Sequence, residues 1–341
     1  MTSPTEAAHA KDASELPRAP GEPLRVSVEP LRASGEPLRA PVELLRALAV
    51  LAEPPRPQHA ALSAALDLPG VPDAADYADL FLFQLYPYAS VHVGAEGMMG
   101  GAARDRVAGF WSALGRTPPA EPDHLAALLA LYVSLVEEAA AGPTDPERAM
   151  AEAGRIALLH EHLTPWIFPF LDRIGELSAG PYATWAALLS DVLLAEVRRG
   201  TAPRGEREAL PAHLGEAGPV PDPREEGADA FAAALLAPAR SGFTLVRADL
   251  ARIAARLDLG LRAGERRYAL AHLMGQGAAA VLEDLAGEAE RQGAAHAARA
   301  GDFGRTATFL AERAAATARL LRELAADAAE IHSPAAPWAR H

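Results

Sequence analysis

Two histidine-bearing stretches are the places where side-chain type and spacing could support chemistry. The first is Pro122-Asp123-His124-Leu125, in which a carboxylate stands beside an imidazole just ahead of an apolar run. At a helix entrance such a pair is either a ligand-binding pair or a cap for unpaired backbone N–H groups, and spacing leaves both readings open. The second is His160-Glu161-His162. A zincin places its second histidine four residues after the first, where this chain has Thr164, and imidazoles two apart on a helix point in different directions. No metal site is expected there. Gly94, Gly97, Gly100 and Gly101 lack the preceding strand and the Lys-Ser/Thr pair of a phosphate-cradling loop. No Gly-x-Ser-x-Gly elbow occurs. Asp123, His124 and His162 could do acid–base work only if the fold brought them together.

Composition narrows the classes further. With no cysteine, disulfides, thiolate zinc sites, iron–sulfur ligation and cysteine nucleophiles are excluded together. A net charge of −13 argues against general affinity for nucleic acid or anionic membrane and is neutral toward basic peptides. The turn at Gly260, with Arg262, Arg266 and Arg267 nearby, resembles a helix-turn-helix, but Asp249, Asp258 and Glu265 dilute its charge. A DNA-binding regulator using this turn, or a metal- or nucleotide-dependent enzyme, is the alternative reading; a helical hairpin is the simpler one. A secretory signal needs a basic segment followed by an apolar run, which is not found, and no apolar run reaches the ~18 residues of a membrane span. A cytoplasmic protein without stable membrane insertion is expected.

The elements that must position these residues are helical. Alanine dominates, aromatics make up only 6% and β-branched residues are sparse, so an all-α fold is predicted. Behind Pro122, large apolar residues fall at Leu125, Leu128, Leu129, Tyr132, Leu135 and Val136, the i, i+3, i+4, i+7 stripe of a core helix. The same logic predicts helices from residue 42 to the stop at Pro54-Pro55, and over 58–66, 73–81, 103–114, 146–163 and 181–199. The stretch 86–94 has little helical logic and is expected to be an ordered loop. Further helices are predicted over 245–257, 264–274 and 278–291. The last, from 303 to 331, carries a 4-and-3 seam of Phe303, Ala307, Leu310, Ala314, Thr317, Leu321, Leu324, Ala328 and Ile331 that must pack on another helix, preferentially of the same chain.

Residues 1–40 stand apart. They contain Glu-Pro-Leu-Arg at 22–25, 29–32 and 36–39, and Glu-Leu-Leu-Arg follows at 43–46 in the same seven-residue register. Proline in a helix interior costs about 3 kcal/mol, so the first three copies are expected to be disordered or polyproline-like. The chain thus divides into an arm (1–40), a helical domain (41–200), a Pro/Gly-rich linker (201–240), a C-terminal helical region (241–332) and a tail (333–341).

Four segments carry a family resemblance: Tyr77-Ala78-Asp79-Leu80-Phe81, Pro87-Tyr88-Ala89-Ser90-Val91, Pro122-Asp123-His124-Leu125 and His162-Leu163-Thr164-Pro165-Trp166. In this order and spacing they resemble the TorD/DmsD/NarJ family of chaperones for molybdenum-dependent oxidoreductases, over roughly residues 42–199. The resemblance implies a TorD-like helical bundle with an additional C-terminal helical region, no catalytic activity and no cofactor of its own. Its implied partner is the catalytic subunit of a molybdopterin-dependent oxidoreductase, often held through a twin-arginine signal peptide until cofactor insertion, by a chaperone that is a monomer or homodimer. Residue by residue, it assigns client or signal-peptide binding to Leu80, Phe81, Pro87, Tyr88, Asp123 and His124. His162, Pro165 and Trp166 match a family motif that is structural in this reading. Ala89 departs from the family, which frequently has Glu there.

Overall fold

The computed structural model describes residues 41–199 and 209–331. Their regular structure is α-helix with two π-helical turns, as the composition predicts. The arm of residues 1–40 and the tail of 333–341 lie outside the described residues.

Helix α1 (Pro41–Leu51) buries Leu45, Leu48 and Leu51, and α2 (Gln58–Ala65) follows the proline stop. Helix α3 (Ala74–Tyr77) is started by a capping box: the Asp73 carboxylate accepts the Ala75 and Asp76 N–H groups at 2.8 Å, and the Asp76 carboxylate accepts the Asp73 N–H. It runs on as a π-helical turn (Ala78–Gln84) that sends Leu80 and Phe81 inward and leaves Leu82 and Phe83 outside. The expected loop at 86–94 contains a helical turn, α4 (Ala89–Val93), all five residues of which are buried. Periodicity cannot report an element this short.

Next come α5 (Gly101–Ala113) and the central helix α6 (Leu125–Ala141), whose Leu125, Leu128, Leu129, Tyr132 and Leu135 are buried. Helix α7 (Asp145–Ala157) starts at a Thr144–Glu147 capping box and continues as a second π-helical turn (Leu158–Leu163). Helices α8 (Ile167–Leu177) and α9 (Pro181–Arg199) complete this region. Helix α6 packs against α1 and α7, and the Trp185 indole of α9 donates to the Leu48 carbonyl at 2.9 Å. Inside this core, Arg155 Nη1 donates to the Tyr132 hydroxyl at 2.8 Å, and that hydroxyl donates to Glu196 at 2.9 Å, so the polar groups of α6, α7 and α9 satisfy one another.

The linker reading of 201–240 does not hold over its described part. Residues 209–240 hold α10 (Ala212–Glu216), α11 (Pro223–Glu226), α12 (Ala228–Leu235) and most of α13 (Pro238–Ser241). Leu214, Ala217, Phe231, Leu235 and Ala239 are buried in the core. Elements of four to eight residues bounded by Pro and Gly have a loop's composition, and packing rather than propensity stabilises them. Gly242 closes α13 with φ 77°, and a Cβ there would lie 2.2 Å from the Ala314 nitrogen, so only glycine allows this approach.

Helix α14 (Arg247–Arg256) leads through the Gly260 turn to α15 (Arg266–Ala298), bent at Gly277, and α16 (Ala300–Ile331), bent at Gly304. Helices α15 and α16 form a long hairpin. The predicted seam is buried at Ala307, Leu310, Ala314, Thr317, Leu321 and Leu324, and its partner is the same chain's α15; Ile331, at its end, is 77% exposed. The Gly260 turn is pinned by Gln276, which accepts the Gly260 N–H at 2.9 Å and donates to its carbonyl at 2.8 Å. Arg266, one of the basic residues of the helix-turn-helix alternative, donates to the Leu245 carbonyl at 2.7 Å and so serves the fold.

A buried ion network joins the C-terminal hairpin to the first region. Arg173 of α8 donates from Nη2 to both Asp249 oxygens of α14 at 2.8 Å, and Glu288 of α15 lies 3.4 Å from its Nη1. Asp249 also accepts the Val246 N–H at 2.9 Å.

Candidate functional site

The loop before α4 and the entrance to α6 meet as a short antiparallel bridge between Tyr88 and His124. Leu125 N–H donates to the Pro87 carbonyl at 2.8 Å and Ala89 N–H to the Asp123 carbonyl at 3.0 Å. The Asp123 side chain then accepts the Ser90 N–H at 3.0 Å, which caps α4 from across the bridge. His124 is the N-cap of α6: its Nδ1 accepts the Ala126 N–H at 3.1 Å, which puts the proton of the neutral ring on Nε2. Of the two readings the sequence left open, the caps are what the structure displays, with the aspartate serving a different helix from the one it precedes.

Asp123 is 2% exposed and His124 8%. Burial pushes the His124 imidazole below its ordinary range, opposed by the charges of Glu121 and Asp123. The Tyr88 ring packs edge-on against His124 at 4.9 Å. Its phenol is pushed up by burial and then by the charge of Glu121. Glu121 is exposed, so the carboxylate this joint turns to solvent is Glu121 rather than Asp123.

The other motif residues sit deeper. Phe81 lies edge-on to Tyr182 at 4.9 Å and Trp185 at 6.1 Å, and stacks on Phe170 at 6.3 Å. Leu80 and Pro87 are buried, as is Pro165. Trp166 is buried, donates to the His162 carbonyl at 2.8 Å and stacks on His92 at 5.0 Å. His162 packs on Phe110 at 4.7 Å and parallel to His213 at 6.4 Å. Burial, then Arg106, pushes His162 down to about 4. Asp123 therefore holds one end of α4, and Trp166 packs on His92 near the other. Phe170, which the sequence reading missed, ties the groups together: its ring meets Phe81, His92 at 5.4 Å and Trp166 at 5.3 Å. Its signal was the four-residue step from Trp166 on α8.

Outside this frame the π-helical turn of 78–84 presents Leu82, 49% exposed, and Phe83, 54% exposed. Tyr77, at the base of that turn, has its phenol pushed up to about 12 by burial and then by Glu121 and Glu53. Among the described residues, no three His, Asp or Glu side chains are grouped to hold a metal ion, and no helix is long and apolar enough to cross a membrane.

No curated protein and no solved structure matches the chain. Residues 43–172, which run from α1 into α8 and contain Leu80, Phe81, Pro87, Tyr88, Asp123, His124, His162, Pro165 and Trp166, match the family model described as nitrate reductase delta subunit.

Proposed function

We propose that this chain is a maturation chaperone, not an enzyme, for a molybdenum-dependent oxidoreductase. It holds the catalytic subunit, or that subunit's twin-arginine signal peptide, before cofactor insertion, and it does so in the cytoplasm. The observation that carries this reading is the match of residues 43–172 to the nitrate reductase delta subunit, a family of molybdoenzyme assembly chaperones, over the stretch that builds the α4 joint.

Physical chemistry supplies the mode of binding. A signal peptide offers arginine and an apolar stretch, so its receptor needs an accessible carboxylate near exposed apolar side chains. Glu121 with Tyr88 answers the first need and Leu82 with Phe83 the second. A charge-assisted contact contributes about 1.5–3 kcal/mol. Burying each apolar side chain adds about 1.5–3 kcal/mol. In this reading Pro87, Asp123 and His124 hold the joint in place, and Leu80 and Phe81 meet a client only when the π-helical turn opens.

The test is co-expression of the tagged chain with a molybdenum-dependent oxidoreductase catalytic subunit encoded in the same genome. Recovery of the cofactor-free subunit, and loss of recovery with Leu82→Ser/Phe83→Ser, is the expected result. Recovery unaffected by these substitutions would move the client surface elsewhere, and no recovery would remove the reading.

A further inference from the structure

Between α4 and α5 the chain runs Gly94-Ala95-Glu96-Gly97-Met98-Met99-Gly100-Gly101, and it turns Met98, 69% exposed, and Met99, 57% exposed, to solvent. The loop that carries them is anchored along its length. Gly97, at φ 61°, lies so close to the turn between α12 and α13 that a Cβ would stand 2.8 Å from the Ala237 Cα and 2.9 Å from the Leu236 carbonyl oxygen. Gly100, at φ 91°, donates its N–H to Ser90 Oγ at 3.1 Å. In the first turn of α5, Arg104 Nη2 donates to the Ala120 carbonyl at 3.0 Å. The two methionines therefore stand on a backbone held on both sides of them.

Ser90 connects this loop to the joint. Its N–H donates to the Asp123 carboxylate, and its hydroxyl oxygen accepts from Gly100. Asp123 is 2% exposed, yet through Ser90 it helps to set where Met98 and Met99 stand. The free charge on this stretch is acidic. Glu96 is exposed, with Oε2 3.6 Å from where a Gly101 Cβ would lie, and Glu121, next to Ala120, is exposed as well. Neither forms an ion pair among the described residues, and the cation of the stretch, Arg104, is engaged by Asp105 and Ala120.

We propose that Met98 and Met99 form an apolar seat, beside the Glu96 carboxylate, for a client segment that is apolar and carries a basic residue. This rests on the chaperone reading above and adds a contact separate from Leu82 and Phe83. Methionine suits the task, because an unbranched, polarisable side chain conforms to apolar segments of differing shape. Glycine on both sides of the pair keeps other Cβ groups away from an incoming segment. Charge selects the occupant: free Glu96 and a net charge of −13 favour a basic segment and disfavour a second copy of this acidic chain.

The test is an oxidative footprint on the complex recovered by co-expression with the cofactor-free catalytic subunit. Hydrogen peroxide gives one oxygen atom to an exposed methionine sulfur, forming the sulfoxide and leaving as water. Met98 and Met99 are expected to oxidise roughly fivefold slower in the complex than in the chain alone, while Met150, 59% exposed on α7, keeps its rate. Met98→Ser/Met99→Ser is expected to weaken binding of the subunit roughly tenfold at an unchanged urea midpoint, and Met98→Leu/Met99→Leu to retain it. If a complex forms but Met98 and Met99 are slowed no more than Met150, or the serine substitutions leave binding undiminished, the proposal is overturned and the chaperone reading stands. Absence of any complex would remove both. Protection that grows with the concentration of the chain alone would also overturn the proposal, by giving the pair to a second copy.

Discussion

The Asp123 carboxylate accepts the backbone N–H of Ser90, 33 residues back along the chain, at 3.0 Å. This contact and the two backbone hydrogen bonds beside it lock the entrance of α6 to the start of α4, and so fix where Tyr88 and Glu121 meet solvent. A residue pair that reads as a helix entrance in the sequence is, in the fold, a clasp between two distant segments.

Removing the clasp should cost stability. Asp123→Ala leaves a buried N–H at Ser90 without its acceptor, and a loss of about 1–3 kcal/mol is expected. Asp123→Asn keeps an oxygen in place and should cost less. Urea denaturation of the two variants checks the order, and an unchanged midpoint for Asp123→Ala would mean that the backbone bridge alone holds the joint.

The Arg173 network makes a second expectation. Arg173→Met removes the buried guanidinium between Asp249 and Glu288, which keep Arg252 and, at Glu288, Arg291 as partners, so the loss is expected to fall below the about 3–5 kcal/mol of a buried pair broken outright. Asp249→Leu alone also removes the acceptor of the Val246 N–H, and a double-mutant cycle with Arg173→Met reads the coupling of the two side chains directly. If the single variant unfolded in two separated steps, α14 and α15 would depend on this network for their attachment to α8.

Acid should weaken the fold before most carboxylates titrate. Burial pushes His92, His162 and His213 each down to about 4, with the further influence of Arg106 at His162 and of His162 and Arg106 at His213. Unfolded histidine titrates near 6.5, so between about pH 6.5 and 4 the unfolded chain binds more protons than the folded one. The stability contributed by these neutral rings is therefore complete above that window and is lost as pH falls through it, by up to about 1.4 kcal/mol per histidine per pH unit. Urea midpoints should drop from pH 7 to 5, and His213→Gln should flatten the fall. A midpoint constant over that range would contradict the burial of these rings.

What the sequence made legible follows from what periodicity can carry. The stripe from Leu125 to Leu135 reports the central helix because seventeen residues of helix repeat the pattern several times over. The seam from Ala307 to Leu324 reports a helix partner for the same reason. Helices α10 to α13 escaped because four to eight residues between prolines and glycines complete too few turns to show a face, although Phe231 and Leu235 are as buried as any core residue. The joint was half legible: Asp123 and His124 stood out by type, but Ser90 as partner, Glu121 as the exposed carboxylate and Phe170 as the shared ring depend on contacts between distant segments. The exposed pair Leu82 and Phe83 was hidden by its neighbours, since a π-helical turn changes which residues of an apolar run face outward.

The account turns on recognition of a cofactor-free client, and one measurement addresses it directly: the affinity of the purified chain for a molybdenum-dependent oxidoreductase catalytic subunit from the same genome, prepared without and with its cofactor, by titration calorimetry. The expected result is binding of the cofactor-free subunit at least tenfold tighter than of the loaded one, a difference of about 1.4 kcal/mol, with the preference reduced by Glu121→Gln. Equal affinity for both forms, or none for either, would contradict it.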